Sequence, residues 1–124
     1  MGSAKDSLIK IIEQMNKIPK AQAVFVTNVA GKDVDWEMSF QINLDKESPF
    51  YLIIKNKKAA ITDGTKSDAE IVMSGDPNAL VKICNGQGDF THAISREEII
   101  VEQGKVMDVI RLTRAIIIVL QAKK

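Results

Sequence analysis

The sequence has 124 residues, a hydrophobic fraction of 45%, a charged fraction of 27% and a formal net charge of +1 at pH 7. These values are typical of a globular protein, so we expect residues 1–124 to form a single domain around one core. The near-neutral charge argues against a nucleic-acid partner, because phosphate binding depends on clustered Lys and Arg side chains.

The first element is predicted to be a helix over residues 3–18. Its apolar residues recur at steps of three and four, which places one stripe on a single face: Leu8, Ile11, Ile12, Met15 and Ile18. Ser3, followed by Asp6 three residues later, fits a helix N-cap, and Pro19 lies just past the predicted end.

The clearest strand is predicted at residues 34–44, because VDWEMSFQINL alternates strictly between apolar and polar residues. One face of this strand collects the apolar side chains Val34, Trp36, Met38, Phe40, Ile42 and Leu44. Residues 23–29 are predicted to pair with it as a hairpin, through a turn at residues 30–33.

Three more strands are expected at residues 50–55, 59–62 and 68–74. The last of them alternates again, with Ala69, Ile71 and Met73 on one face.

The second half of the chain is predicted to be mostly helical. Asp76 is a good N-cap and Pro77 suits the first helical position, so a short helix is expected from Pro77 to the stop signal at Asn85 and Gly86. The remaining elements are a helical turn, a strand and a closing helix, at residues 89–95, 96–104 and 105–124. This order of elements predicts an α+β fold in which one sheet carries its helices on one face.

Cys84 and His92 are the single cysteine and the single histidine, and together they are the candidate nucleophile and base. Neither lies in a recognisable catalytic motif, and Cys84 shares an apolar helix side with Leu80 and Val81, so packing is the better explanation. We therefore predict no enzymatic activity. One cysteine also excludes an internal disulfide, which favours a cytoplasmic location.

Two loops partly resemble phosphate-binding or calcium-binding loops in composition: GQGD at residues 86–89 and DGTKSD at residues 63–68. Neither has the required spacing of a phosphate loop or an EF-hand, so both are predicted to be turns and no cofactor or metal is expected. The basic residues Lys55, Lys57 and Lys58 are interpreted as a solvated hairpin end, with transient contact to a membrane surface as the functional alternative.

The closing helix is unusually apolar, since every residue from Ala115 to Leu120 is apolar. Six helical residues extend only about 9 Å, against about 30 Å of bilayer hydrocarbon, so this run cannot span a membrane. The predicted stripe that faces the core consists of Val106, Val109, Ile110, Ile116, Ile117 and Leu120. Ala115, Ile118 and Val119 then fall on helix sides that are expected to face solvent, so these apolar side chains must be covered by another group. That cover is the protein core, a partner chain or a bound apolar molecule, and a strand over residues 115–120 also stays open.

The stretch from Asp68 to Leu112, DAEIVMSGDPNALVKICNGQGDFTHAISREEIIVEQGKVMDVIRL, resembles the C-terminal half of the sterol carrier protein type 2 domain. The shared pattern is an alternating strand, a Ser/Gly-Asp turn, a short helix that ends in glycine, a returning strand, a glycine and the last helix. The leading helix, the Trp36 strand and the turn at residues 63–64 fit more loosely. The sequence departs from the eukaryotic members of the family in lacking their peroxisomal C-terminal tripeptide, and it has Gln87 where family members often have a lysine.

The resemblance implies a five-stranded, mainly antiparallel sheet covered by helices, with a hydrophobic tunnel for fatty acid, fatty acyl-CoA, phospholipid or sterol and without a catalytic residue. Together with the apolar sheet face, it predicts a lipid-binding or lipid-transfer domain. The predicted ligand-binding residues are Trp36, Met38, Phe40, Ile71, Met73, Leu80, Cys84, Phe90, Ile110 and Ile117. The alternative is a non-catalytic interaction module with a filled core, which docks its apolar closing helix on a second copy or on a partner protein of lipid or quinone metabolism.

Overall fold

The computed structural model describes residues 3–88 and 90–122. The helices in that part of the chain are α1 (Ser3–Met15), α2 (Pro19–Gln22), a 3-10 helix (Ala23–Phe25), α3 (Pro77–Cys84), α4 (Phe90–Ser95) and α5 (Val106–Ala122). The strands are β1 (Val26–Val29), β2 (Lys32–Asp35), β3 (Met38–Leu44), β4 (Phe50–Lys55), β5 (Lys58–Asp63), β6 (Ile71–Gly75) and β7 (Ile99–Gln103). The predicted cap at the Ser3 side chain, and the predicted helical positions 89, 123 and 124, lie outside the described part.

Five strands form one sheet in the order β5-β4-β3-β6-β7. The neighbouring strands pair antiparallel except for β3 and β6, which run parallel. β6 follows the β4–β5 hairpin in the chain and returns to lie beside β3 in the sheet. The helices α1 and α4 contact the edge strands β5 and β7, and α5 contacts α1, α2 and α4. The predicted α+β fold with a mainly antiparallel five-stranded sheet is therefore confirmed.

The predicted continuous strand over residues 34–44 is wrong, because the chain leaves the sheet at Trp36 and Glu37. The Trp36 amide instead donates to the carbonyl oxygen of Phe25 at 2.8 Å. The predicted hairpin forms between β1 and β2, but as a separate two-stranded sheet, and β3 alone of this region joins the large sheet. The predicted strand over residues 23–29 is too long, because residues 23–25 form the 3-10 helix.

The predicted helix after Asp76 is confirmed as α3. The Asp76 carboxylate accepts a hydrogen bond from the backbone amide of Asn78 at 2.9 Å, and Pro77 occupies the first helical turn. At the other end of the chain, α1 stops at Met15, and Pro19 begins the next short helix instead of following a single long one.

The sheet face away from the helices is partly covered by the loop at residues 64–70. Gln41 on β3 is 2% exposed and accepts the Lys66 amide at 2.6 Å, while its side-chain nitrogen donates to the carbonyl oxygens of Phe50 at 3.2 Å and Gly64 at 3.3 Å. The Ser39 hydroxyl accepts the Glu70 amide at 3.0 Å. These bonds hold residues 64–70 as a loop, so β6 begins at Ile71 rather than at the predicted residue 68.

The orientation of α5 differs from the predicted stripe. The residues that it buries are Val109, Leu112, Thr113, Ala115, Ile116 and Val119, whereas Val106 and Ile117 are exposed and Ile110 and Leu120 are half-buried. The prediction fails because residues 115–120 are apolar on every side, so periodicity cannot choose a face and the contacts with α1, α2 and α4 decide it. Residues 115–120 are helical, and no described helix is long and apolar enough to cross a membrane.

Candidate functional site

Trp36 is the centre of an aromatic cluster where the hairpin, the sheet and α5 meet. Its ring stacks on Phe25 with centroids 6.0 Å apart and planes 17° apart. The ring of Phe40 is tilted by 59° relative to the Trp36 ring, with centroids 6.2 Å apart. Trp36 is only 8% exposed, so it joins the 3-10 helix to the buried face of β3.

Arg111 on α5 closes this cluster from the helical side. Its guanidinium carbon lies 5.1 Å from the centroid of the Trp36 ring, within the range of a cation–π contact. One terminal nitrogen, Nη1, donates to the carbonyl oxygens of Val24 at 2.8 Å and Val26 at 3.2 Å. These bonds satisfy one carbonyl in the 3-10 helix and one in β1, and they attach the segment before the sheet to the last helix.

The predicted ligand-binding residues of the sheet lie side by side in two parallel strands. Phe40 pairs in register with Ile71, and Ile42 pairs with Met73. All four side chains are at most 2% exposed. Met38, at the start of β3, is half-buried and packs against the same cluster.

Leu80 and Cys84 on α3 and Phe90 on α4 supply the helical side of the same buried cluster. Burial raises the pKa of the Cys84 thiol to about 12, so the reactive thiolate is scarce at neutral pH. His92 is exposed on α4. In the described ranges, no three His, Cys, Asp or Glu residues are grouped so that they could hold a metal ion.

Ile110 and Ile117 lie apart from the other predicted ligand-binding residues. Ile110 is half-buried and Ile117 is 36% exposed, both on the outer side of α5 with Val106 at 42% and Met107 at 72%. The structure thus brings seven of the ten residues into one buried apolar cluster: Trp36, Phe40, Ile71, Met73, Leu80, Cys84 and Phe90.

Phe25 and Arg111 contact Trp36 in this cluster, and neither was predicted as a site residue. No local signal would have found them. Val24 and Arg111 are 87 residues apart in the chain, and the contact depends on how α5 packs against the 3-10 helix.

The surface near Met38 is polar. Met38 lines a cleft of about 230 Å³ together with Ser39, Ile53, Ile54 and the charged residues Glu37, Lys55, Lys66, Asp68 and Glu70. Lys55, Lys57 and Lys58 are exposed at the β4–β5 turn, where the Lys57 ammonium lies 3.8 Å from the Asp35 carboxylate. This cleft borders the apolar cluster through Ile54, which is buried in the cluster, and Met38, which packs against it.

No family model and no curated protein matches the sequence. Solved structures match the fold. A ubiquinone synthesis protein described as UbiJ-SCP2 superposes with a TM-score of 0.65 at 13% identity, covering 89% of this chain and 84% of that one. Sterol carrier protein 2 gives a TM-score of 0.63 at 11% identity, covering 93% and 94%.

Sterol carrier protein 2 of Aedes aegypti, in complex with the C16 fatty acid palmitate, gives a TM-score of 0.57 at 16% identity, covering 91% of this chain and 93% of that one. The described part of the chain therefore has the fold of sterol carrier protein 2, as the resemblance predicts.

Proposed function

We propose that residues 1–124 form a single lipid-binding domain that holds an acyl chain between its sheet and its helices and transfers or presents it. The observation that carries the proposal is the continuous apolar cluster that contains Trp36, Phe40 and Met73. Support comes from the fold, because the Aedes aegypti protein with the same fold has palmitate bound. Fatty acid, fatty acyl-CoA, phospholipid and sterol all fit this class of apolar ligand.

The energetic balance requires that most of the acyl chain be buried. Each buried methylene contributes about 0.8 kcal/mol, so the fourteen methylenes of palmitate gain about 11 kcal/mol. Association costs about 4–15 kcal/mol in lost freedom, before any rearrangement of the protein. A ligand that inserts only half its chain would therefore bind poorly.

The helical cover must move to admit a ligand, because Phe40, Ile71 and Leu80 are packed with at most 1% exposure. We place the opening at the Trp36 edge, because the neighbouring Met38 is half-buried and borders the solvent. Met38 and Met73 have flexible side chains that repack around ligands of different shape. In this mechanism the chain carries lipid without any chemical step.

Native mass spectrometry of delipidated protein titrated with palmitate tests the proposal. We expect one palmitate per chain at micromolar concentration, and competition by other long acyl chains. Decanoate is the matched control, because its shorter chain gains about 5 kcal/mol less from burial. Absence of any bound acyl ligand at micromolar concentration would contradict the proposal.

A second candidate function is supported by the outer side of α5. Val106, Met107 and Ile117 are exposed there, and three exposed aliphatic side chains on one helix suit contact with another protein chain. This role would make the protein a docking module with a filled core, on a second copy or on a partner protein. Sedimentation with and without detergent separates the two functions, because a detergent-resistant dimer that takes up no palmitate favours docking.

A further inference from the structure

Arg111 is a half-buried cation without a counter-ion in the described part of the chain. The ion pairs found there involve Lys5 with Asp63, Lys57 with Asp35, and Lys66 with Asp68. Asp108 lies three residues before Arg111 on α5, at a helix-neighbour spacing, but it forms no ion pair with the guanidinium. Among the residues that the structure describes, the groups that stabilise the positive charge of Arg111 are the carbonyls of Val24 and Val26 and the Trp36 ring.

The guanidinium also keeps unused hydrogen-bond donors. Both of its hydrogen bonds use Nη1. An arginine carries five N–H donors in a rigid fork that matches carboxylate and phosphate oxygens. No described residue accepts a hydrogen bond from Nε or Nη2 of Arg111, so these donors are available for an anion.

Arg111 lies at the boundary between solvent and the apolar cluster. Arg111 and Met38 are half-buried, whereas Trp36 is 8% exposed and Phe40 behind it is fully buried. An amphiphile whose chain lies against Trp36 and Phe40 would have its polar end at this boundary. A partly desolvated cation there gains more from an anion than the same cation would gain in water.

We propose that Arg111 binds the anionic head group of a single-chain lipid whose acyl chain lies in the apolar cluster. This inference rests on the lipid-binding function proposed above and assigns its ligand class, a carboxylate or phosphate on one long chain. The N–H groups on Nε and Nη2 donate charge-assisted hydrogen bonds to the head-group oxygens, while Nη1 keeps its bonds to the carbonyl oxygens of Val24 and Val26.

The test compares three C16 ligands that differ only in the head group: palmitate, hexadecyl phosphate and the neutral hexadecanol. Affinities are measured at pH 8 for the wild type, for Arg111→Gln and for Arg111→Lys. The Gln variant removes the charge and keeps an amide donor for the Val24 carbonyl, whereas the Lys variant keeps the charge and loses the fork.

We expect Arg111→Gln to weaken the binding of palmitate or hexadecyl phosphate by about 10- to 100-fold, because a hydrogen bond to a charged group usually contributes that much affinity. The affinity for hexadecanol should stay within about twofold of the wild-type value. Arg111→Lys should recover part of that loss. The head group with the larger loss identifies carboxylate or phosphate as the preferred anion. Equal weakening of all three ligands would overturn the inference and leave Arg111 a structural residue. If the wild type binds none of the three, the lipid-binding function itself fails.

Discussion

Ile42 and Met73 are register partners across the parallel pairing of β3 and β6. Both side chains point to the helices and are 2% exposed. Val72, next to Met73 in the same strand, is half-buried on the other side of the sheet. Met73 and Val72, which are adjacent in β6, therefore lie on opposite faces of the sheet: Met73 on the proposed binding face and Val72 on the open face.

Replacing Met73 with Ala tests this difference. We expect Met73→Ala to lower the free energy of unfolding by about 2–5 kcal/mol, because it leaves a cavity in the core, as measured by urea denaturation. Palmitate should then raise the melting temperature of the variant more than that of the wild type, since the acyl chain fills the new space.

Val72→Ala is the matched control on the open face. We expect it to lower the free energy of unfolding by less than Met73→Ala and to leave the effect of palmitate unchanged. Equal ligand-induced stabilisation in both variants would mean that the acyl chain does not lie on the Met73 face.

The contact between Arg111 and Trp36 can be measured by a double-mutant cycle. Arg111→Met and Trp36→Leu, made singly and together, should show a coupling free energy of about 0.5–2 kcal/mol in urea unfolding, because the guanidinium lies 5.1 Å from the ring centroid. Pairing Arg111→Met with Tyr51→Leu on β4 supplies the control. A Trp36 coupling no larger than the Tyr51 coupling would show that the ring does not stabilise the cation.

The sequence predicts most of the elements but not how they are joined in space. The cap at Asp76 and Pro77 and the apolar steps of α1 are local signals, and both helices form where those signals lie. The break at Trp36 is not local, because its amide bonds to Phe25 instead of to a neighbouring strand of the sheet.

The candidate site shows the same division between local and long-range information. The alternation that predicts Phe40 and Met73 as inward residues is a property of each strand alone. That β6 lies beside β3 depends on the topology of the sheet, and the role of Arg111 depends on the docking of α5. The buried face of α5 could not be predicted, since residues 115–120 are apolar all round.

Burial of Cys84 makes stability depend on pH in a defined window. The pKa of the thiol is raised to about 12 by desolvation, from an ordinary value of 9.0. The unfolded chain therefore releases this proton first. The contribution of the buried thiol is fully present below pH 9 and is lost as the pH rises from 9 to 12.

Urea unfolding at pH 8 and pH 10 measures this contribution, with Cys84→Ala as the control. The difference in unfolding free energy between wild type and variant should shrink by about 1.4 kcal/mol at pH 10. A pH-independent difference would show that the Cys84 thiol titrates normally in the folded state.

The loop at residues 64–70 should depend on Gln41. Gln41→Leu removes the acceptor for the Lys66 amide and the donor to the carbonyl oxygens of Phe50 and Gly64, so three buried or part-buried backbone groups lose this partner. We expect a loss of about 1–3 kcal/mol in urea unfolding and faster tryptic cleavage after Lys66 in the native protein. Thr62→Ala on the exposed side of β5 is the control, and equal cleavage rates in the two variants would contradict this assignment.

The most direct test of the central proposal uses Trp36, which is the single tryptophan of the sequence. A bromine atom on an acyl chain quenches tryptophan fluorescence only at near contact, so brominated palmitate reports whether the chain lies beside the Trp36 ring. We predict saturable quenching that is complete at one brominated lipid per chain and is reversed by excess palmitate. One brominated lipid bound per chain by native mass spectrometry, with Trp36 emission unchanged, would contradict the account.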